Sequence, residues 1–424
     1  MSEDLRTITW CPRCEWGLDP QGLLEGAASG RSRRLERQTA RIMRRLGTGR
    51  KPWWGWRDVA SPLTAVGVFI AWLGTGASGV ALLVYAHPVF WVFGVALVAA
   101  FVASWPRPAR PDGAGLASAS PDDAPGLHAL VARAAEQTGA RPPTAVFVTA
   151  TPIVASIRSG FGRSSALVVG VSLWGILDSQ ARVAAIARAL SETAGRDPRR
   201  FGLVALAGRA LVQWRRQLGD EPTAGSYGRP SVPADQLVFV DPLAGSRLLE
   251  SSAPEAGRLG NPATGMVHAT YHSALRAAGS ALARLSYAGH VRAEFRSDAR
   301  AASAAGTGGL TGLLDVVPLL PRLSRVAEQA LARREGHMRH DVVEHIESLP
   351  EKERDRLARV AARVPCRVED RHPPVRLRRD LLRRLGDRAG SLSIDRHGMD
   401  RIDAEIDAVF EPVELSLRAP KLEP

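Results

Sequence analysis

Residues 62–85 read PLTAVGVFIAWLGTGASGVALLVY and carry no charged side chain. The charge-free stretch is longer still, because no Asp, Glu, Lys or Arg occurs between Asp58 and Arg107. A helix of about 20 apolar residues crosses a hydrocarbon core of ~30 Å, so residues 62–85 are predicted to span a membrane. A second apolar run, Val89–Trp105, follows after a short turn and is predicted to return across it. The sequence therefore predicts a two-helix transmembrane hairpin over residues 61–105.

Basic residues flank both ends of this hairpin. The segment Arg31–Arg57 contains ten Lys or Arg residues and one acid, Glu36, in a chain whose formal net charge is +13. Positively charged flanks stay in the cytoplasm, so we expect a multi-pass protein of the inner (plasma) membrane with both termini cytoplasmic. In the basic region 1–60 a juxtamembrane helix is expected to lie near anionic headgroups, which makes membrane lipids a predicted partner. Nucleic acid is not an expected partner, because the charge is scattered and no binding motif accompanies it.

Cys11 and Cys14 form a C-x-x-C pair in this N-terminal region. The spacing is that of half a zinc ribbon, and a structural tetrahedral zinc takes about four protein ligands. The third and last cysteine, Cys366, lies more than 350 residues away, so the cysteines of one chain cannot assemble a complete ribbon. We therefore expect two reduced cysteines, and whether they bind a metal stays open.

The region 121–385 has the pattern of a small mixed α/β domain that gives way to helices. Its predicted elements are, in chain order, a helix over Gly126–Gly139, strands over Thr144–Val148 and Ala166–Val171, and helices over Leu173–Leu177 and Ala181–Leu190. The stretch 218–261 is rich in Gly, Pro and Ser and is predicted to be a long insertion. Residues 386–424 are predicted to form a charged, helical C-terminal tail.

The predicted helix Ala181–Leu190 and the residues after it contain the segment 182–197, which reads RVAAIARALSETAGRD. The order of elements and this segment resemble the membrane zinc metallopeptidases of the HtpX and CAAX-prenyl-protease kind, which are gluzincins. In that family an apolar helix leads into H-E-x-x-H, and a short stretch ending in Asp follows. Aligning that aspartate with Asp197 places Arg188 and Glu192 where the two histidines would stand. Ala189 then occupies the position of the general base.

Two further segments carry the resemblance, which covers roughly residues 126–385 and the hairpin before them. The segment RAEFRSDA is similar to the family's E-x-x-A-D segment, so that Glu294 matches the third zinc ligand and Asp298 the aspartate that supports the ligands. The segment HPPVRLR contains His372 and Arg378 and is similar to the family's H-P-P-x-x-x-R signature.

The resemblance implies a mainly α protein with a small β-sheet, in which a transmembrane hairpin precedes a cytoplasmic gluzincin-like metallopeptidase domain. The family's reaction needs two imidazoles and a carboxylate on one Zn²⁺, with a glutamate as general base. Arg188 is a permanent cation without a lone pair for a metal, and Ala189 cannot accept a proton. We therefore expect a protein without zinc or proteolytic activity, which binds membrane-protein or peptide segments in the inherited cleft.

Arg188 offers a replacement for the metal. Glu192 lies four residues further along the same predicted helix, where side chains meet on one face, and Glu294 belongs to the facing helix in the resemblance. An ion pair from Arg188 to Glu192 or Glu294 would then join the two helices. The alternative is an Arg188 that points to solvent, and the sequence leaves both open.

Other histidines support a rival hypothesis. His268 and His272 have the i,i+4 spacing of one helix face, and with Glu294 they would make an active zinc metallopeptidase with rearranged ligands. The cluster His337–His345 is dense in ligand-type residues, but a solvated face of a charged helix predicted over residues 322–348 explains it more simply. A third hypothesis is a membrane-bound scaffold whose basic juxtamembrane helix is the functional part.

Overall fold

The structure is a computed structural model of the 424-residue chain. It describes residues 8–19, 24, 29–48, 55–105, 115–159, 164–194, 198–217, 262–333, 336–368, 370 and 372–418. Asp197 and the predicted insertion at 218–261 lie outside the described residues. The described part of the chain is mainly helical and contains a small four-stranded sheet, as the sequence predicts.

The helices and strands follow in chain order. The helices are α1 (Gly30–Gly47), α2 (Trp56–Tyr85), α3 (Trp91–Ala103), α4 (Pro125–Thr138), α5 (Val171–Ile176), α6 (Ser179–Ser191), α7 (Pro198–Gln217), α8 (Pro262–Val316), α9 (Leu320–Ala332), α10 (Met338–Glu347), α11 (Glu351–Arg363), α12 (Val375–Leu385) and α13 (Arg396–Arg418). The strands are β1 (Leu116–Ala119), β2 (Ala145–Thr149), β3 (Val154–Ser159) and β4 (Ser164–Gly170). The predictions for α4, α5, α6, β2 and β4 are therefore confirmed, with boundaries shifted by one or two residues.

The four strands form one sheet in the order β1-β2-β4-β3. β2 and β4 pair in parallel, with Val148 beside Val169, and β1 and β3 add to their outer sides as antiparallel strands. The inner pair consists of nearly continuous apolar runs, which is typical of strands buried on both faces. The sequence analysis missed β1 and β3, because LASA and VASIRS mix small and polar residues over a few positions.

α6 lies in the centre of the core. Almost every residue of α6 is buried, and its neighbours include the sheet, α4 and α8. Ala184 and Ala187 on α6 share the core with Ala301 and Ala305 on α8. Such small side chains let two helices approach closely, and this close contact holds α6 and α8 in a defined register.

α8 is a long helix with a single interruption. Gly306 has a φ of +83°, a backbone conformation that favours glycine. A Cβ at this position would lie 3.0 Å from the carbonyl oxygen of Arg388, so the break is also a point of close chain contact. The first arm of α8, residues 262–305, is about 66 Å long at ~1.5 Å per residue.

α2 and α3 form the predicted helical hairpin. Their backbones approach closely, because a Cβ at Gly94 would lie 3.0 Å from the carbonyl oxygen of Gly79. Two helical stretches of the described residues are long and apolar enough to cross a membrane: α2 and Thr270–Ala332. α3 has 13 residues and is only about 20 Å long. The helix is shorter than a hydrocarbon core of ~30 Å, so the span over Val89–Trp105 stays a prediction, and Thr270–Ala332 is a stretch that the sequence analysis had not assigned to the membrane.

α7 and the first arm of α8 pack beside α2. The buried members of their shared apolar cluster are Ala65, Ala207, Ala210, Leu211, Trp214, Leu275 and Leu282. Trp214 Nε1 also donates to the carbonyl oxygen of Ser104, 2.7 Å away at the end of α3. The hairpin is thus one half of a larger apolar bundle that includes α7 and α8.

α1 is fixed to the domain by its buried face. Met43 is buried, Thr39 Oγ1 lies 2.8 Å from the hydroxyl oxygen of Tyr287 on α8, and Glu36 pairs with Arg376 on α12. Seven arginines occupy the exposed positions of the helix: Arg31, Arg33, Arg34, Arg37, Arg41, Arg44 and Arg45. The helix predicted in the basic region is therefore present with its basic face held in one orientation, and its position beside a membrane stays a prediction.

Two further predictions concern the C-terminal half. α13, in the predicted tail, buries Ile406 and Phe410 in the main core, and its Asp403 accepts a hydrogen bond of 2.8 Å from Trp174 Nε1. The single charged helix predicted over 322–348 is wrong. It is divided into α9 and α10, because Gly336 between them has a φ of +103°, which a continuing helix does not allow.

Candidate functional site

α6 and α8 bring four of the aligned residues together. Arg188 lies in the last turn of α6, and Glu192 is the residue that caps this helix. Glu294 and Asp298 are four residues apart on the first arm of α8, so their side chains share one helix face. Because α6 packs along α8, these two faces meet inside the domain.

The guanidinium group of Arg188 contacts three carboxylates with its three nitrogens. Nη2 lies 2.6 Å from Glu294 Oε2, Nε lies 3.1 Å from Asp298 Oδ1, and Nη1 lies 3.3 Å from Glu192 Oε1. The side chains are well shielded, with exposed fractions of 12% for Arg188 and 4% for Glu294. The predicted ion pair to Glu192 or Glu294 is confirmed, because Arg188 pairs with both, and the solvent-facing alternative is wrong. We call Arg188 and its three carboxylates the arginine clamp.

A second guanidinium group, that of Arg378 on α12, binds the arginine clamp at Asp298. Arg378 Nε and Nη2 each lie 2.8 Å from an oxygen of Asp298, in the two-pronged geometry that makes arginine–carboxylate pairs strong. Asp298 is fully buried and is shared between Arg188 and Arg378. The clamp therefore joins α6, α8 and α12 through alternating charges.

His372 contacts the same cluster, and its proton can be assigned. Its Nδ1 lies 2.7 Å from Glu294 Oε2, and an ionised carboxylate only accepts hydrogen bonds, so Nδ1 carries a proton and donates it. The same nitrogen is 3.2 Å from Arg188 Nη2. Because Nη2 is also a donor, that approach is a contact and not a hydrogen bond. Glu294 Oε2 therefore accepts from both Arg188 and His372.

The charges of the clamp stabilise one another. Burial by itself disfavours the charged form of Arg188 and so acts to lower the pKa of its guanidinium. The negative charges of Glu294, Glu192 and Asp298 outweigh burial and raise this pKa above its ordinary value. Arg188 is thus a fixed cation in the middle of the cluster, held where opposite charges surround it.

The clamp residues do not suit a zinc ion. Each carboxylate that would bind the metal is within hydrogen-bond distance of the Arg188 guanidinium, which repels cations and offers no lone pair. Within the described ranges there is no group of three or more His, Cys, Asp or Glu side chains that could hold a metal ion. Ala189, at the position of the general base, is fully buried and has no proton-accepting atom. We derive no catalytic step from this site.

The rearranged zinc site is excluded by distance. His268, His272 and Glu294 all lie on the first arm of α8, which is helical throughout that range. The 22 residues from His272 to Glu294 correspond to about 33 Å along the helix, whereas zinc ligands lie about 2 Å from the metal. This ligand set therefore cannot converge on one ion. The helix that carries the His337–His345 cluster is α10, and its Met338, Val342 and Ile346 face the core, as expected for an amphipathic helix.

A cavity of about 730 Å³ lies beside the arginine clamp. Its walls include Arg188, His372 and Arg378 of the clamp region and Val154 at the start of β3, and α9 and α11 contribute both apolar and charged residues. The volume is in the range of ligand-binding pockets. The sequence analysis missed this cavity, because its walls come from segments that are far apart in the chain and share no motif.

Comparison with family models, with characterised proteins and with solved structures gives no match for this chain. The resemblance to membrane metallopeptidases therefore rests on the sequence motifs. What the structure adds is that the motif residues in its described part, Arg188, Glu192, Glu294, Asp298, His372 and Arg378, lie in one connected cluster.

Proposed function

We propose that this protein is a membrane-anchored homologue of the HtpX and CAAX-prenyl-protease type of zinc metalloendopeptidase that has lost zinc and proteolysis and acts by binding. In this proposal the protein is a multi-pass protein of the inner (plasma) membrane, both termini are cytoplasmic, and the region from β1 onward holds membrane-protein or peptide segments. The observation that carries the proposal is the arginine clamp.

The clamp supports the loss of catalysis because a guanidinium group takes the place of the metal ion. In a zinc peptidase a dication joins the two ligand-bearing helices, and here the Arg188 guanidinium joins α6 to α8 by two ion pairs, to Glu294 and Asp298. A zinc ion could enter only by displacing this guanidinium from Glu294, and an unpaired buried charge costs several kcal/mol. The site is thus occupied by the protein's own cation, and cleavage chemistry has no metal-bound water to use.

The cavity and the sheet edge support a binding role. β3 is one of the two outer strands of the sheet, and among the described strands it pairs with β4 alone. Its first residue, Val154, lines the cavity. An outer strand offers unpaired backbone groups to which an extended peptide can add, while nearby pockets take its side chains. We therefore expect the bound segment to lie in extended form along β3, with apolar side chains in the cavity.

Peptide binding can be tested with two neighbouring substitutions on α11. Ala361 lines the cavity, whereas Ala362 is exposed and lies outside it. Peptides selected by display against the purified protein should bind at least about 10-fold more weakly to Ala361→Trp, a loss of about 1.4 kcal/mol, and unchanged to Ala362→Trp. Failure to select any peptide, or equal effects of the two substitutions, would contradict binding in the cavity.

Loss of zinc can be tested by metal analysis. We expect no zinc in the cleft, so the zinc content of the purified protein should be the same in Glu294→Ala, and stoichiometric zinc that is lost in Glu294→Ala would contradict the proposal. In the variant R188H/A189E/E192H two imidazoles and a base stand beside Glu294 again, so zinc binding should appear. If this variant binds no zinc, the alignment through Asp197 is wrong.

A second role, lipid binding by α1, is favoured by its seven exposed arginines. No carboxylate of the described residues lies within ion-pair distance of any of them, and clusters of four to eight basic residues next to a membrane helix bind anionic lipids at about 1 kcal/mol per residue. Native mass spectrometry should therefore find fewer bound anionic phospholipids when all seven are changed to glutamine. Equal lipid retention would contradict this role.

A further inference from the structure

The N-terminal cysteine pair belongs to a segment that is packed onto α11. Trp10 is buried, packs against Val360, and donates through Nε1 to the carbonyl oxygen of Lys352 at 3.1 Å. The guanidinium of Arg359 lies 5.3 Å from the centre of the Trp10 ring, a cation–π contact. The segment that carries the cysteines is therefore held on the domain surface in a defined conformation.

The cysteines sit in a tight turn at the surface of the protein. Glu15 N donates to the carbonyl oxygen of Cys11 at 2.8 Å, and Cys11 N donates to that of Trp16 at 2.9 Å. Glu15 adopts a φ of +60°, which closes the turn. Cys14 is exposed and Cys11 is half-buried, so both sulfurs can be reached from solvent. We call residues 10–17 the cysteine turn.

One chain supplies only half of a tetrahedral thiolate site. The remaining cysteine, Cys366, is buried beside Tyr287 and Phe295 and cannot reach the surface. No third metal-ligating side chain of the described residues groups with Cys11 and Cys14. With no further ligand among the described residues, a second copy of this chain in the same membrane is the source that carries a matching pair.

We propose that Cys11 and Cys14 of two copies bind one zinc ion in a four-thiolate site, which joins the two chains through their cysteine turns. Zn²⁺ binds thiolate sulfurs tetrahedrally at about 2.3 Å, and each thiol releases its proton to solvent when it binds. The four thiolates and the metal carry a net charge of −2, which the basic residues around each turn, Arg13 and Lys352, offset. This site shares no residue with the arginine clamp, so this proposal and the proposed function can be refuted separately.

The test measures metal content and oligomeric state together, on the full chain in detergent. Metal-free protein titrated with zinc should bind half an equivalent per chain and shift from monomer to dimer by light scattering, and a chelator should reverse both. Co²⁺ in place of zinc should give the absorption spectrum of a four-thiolate site. Cys11→Ser and Cys14→Ser should each abolish the metal and the dimer, whereas Cys366→Ala should retain them.

Three results would overturn the proposal: one tightly bound metal on a monomeric chain, no metal binding, or a dimer that persists without metal and without the two cysteines. Trp16→Ala, which changes an exposed residue of the cysteine turn and leaves both thiols, controls for general damage to the turn. It should keep the half equivalent of zinc. Metal that is lost in Glu294→Ala but kept in Cys11→Ser would point to the cleft instead.

Discussion

Replacing Arg188 by methionine removes the central cation of the arginine clamp and keeps most of the apolar stem. The substitution leaves three carboxylates in a shielded cluster. Asp298 keeps Arg378 as a partner, and Glu294 keeps His372, so the cluster is weakened and not emptied of positive charge. Breaking a buried pair by removal of one partner costs about 3–5 kcal/mol. Because two partners remain, we expect a loss near the lower end, about 3 kcal/mol.

This loss is large enough to separate the clamp from ordinary surface pairs. For a domain of this size each kcal/mol lowers the melting temperature by about 2–4 °C, so Arg188→Met should melt about 6–12 °C below the unaltered protein. The matched control is Arg383→Met, because Arg383 pairs with Asp380 on the surface and its side chain is 77% exposed. An exposed pair contributes about 0–1 kcal/mol, so the control should shift by less than about 4 °C.

A double-variant cycle then shows whether the loss comes from the pair itself. Glu294→Gln alone should cost less than Arg188→Met, because Arg188 still pairs with Glu192 and Asp298. In the double variant the Glu294 carboxylate no longer stands buried without Arg188. The combined loss of stability should therefore be smaller than the sum of the two single losses by about 0.5–3 kcal/mol. The assay is thermal unfolding of the detergent-solubilised protein, followed by tryptophan fluorescence.

Two outcomes would refute the reasoning. If Arg188→Met melts within the range of Arg383→Met, the clamp is effectively solvent-exposed and does not hold α6 to α8. If Arg188→Met and Glu294→Gln have additive effects, the two side chains do not interact in the folded protein. Either result would also remove the main support for a guanidinium in place of a metal.

Three further predictions follow from other parts of the structure. A thiol reagent at about pH 8 should label Cys11 and Cys14 quickly and Cys366 slowly, because burial raises the pKa of the Cys366 thiol to about 11, and equal labelling of all three would contradict its burial. Since the pKa of an unfolded cysteine is about 8.5, the stability that the Cys366 thiol contributes is present below pH ~8.5 and is lost as the pH rises to about 11. Alkaline phosphatase fused after Pro424 should be inactive, because the basic flanks of the hairpin keep that terminus in the cytoplasm, and an active fusion would reverse the topology. Gly94→Leu should cost about 1–3 kcal/mol by overpacking the α2–α3 contact, whereas Gly67→Leu, where a Cβ meets nothing within 4 Å, should be neutral in thermal unfolding.

The hairpin and the residues of the arginine clamp were both accessible from sequence. A stretch without charges from Val59 to Pro106 allows few solutions, because a charged side chain in hydrocarbon is costly and an apolar helix in water is too. For the clamp, the sequence offered an Arg188 pair to Glu192 or Glu294 as one of two alternatives, because motif order preserves which side chains meet even after the ligands change. The Arg188–Glu192 pair could be proposed from the i,i+4 spacing of a helix alone, and the Arg188–Glu294 pair from the family resemblance. β2, β4 and α6 were predicted because their buried runs follow simple periodicities.

Tertiary structure decided everything that depends on distance between segments. It placed His272 and Glu294 about 33 Å apart along one helix, although both are residue types that bind zinc. It made Arg188 contact Glu192, Glu294 and Asp298 at once, where the sequence left even a solvent-facing side chain open. It also placed α7 and the first arm of α8 beside α2, and α1 against α8 and α12. Periodicity reports which face of an element is apolar, but not which element covers that face, because the covering residues lie far away in the chain and leave no local pattern.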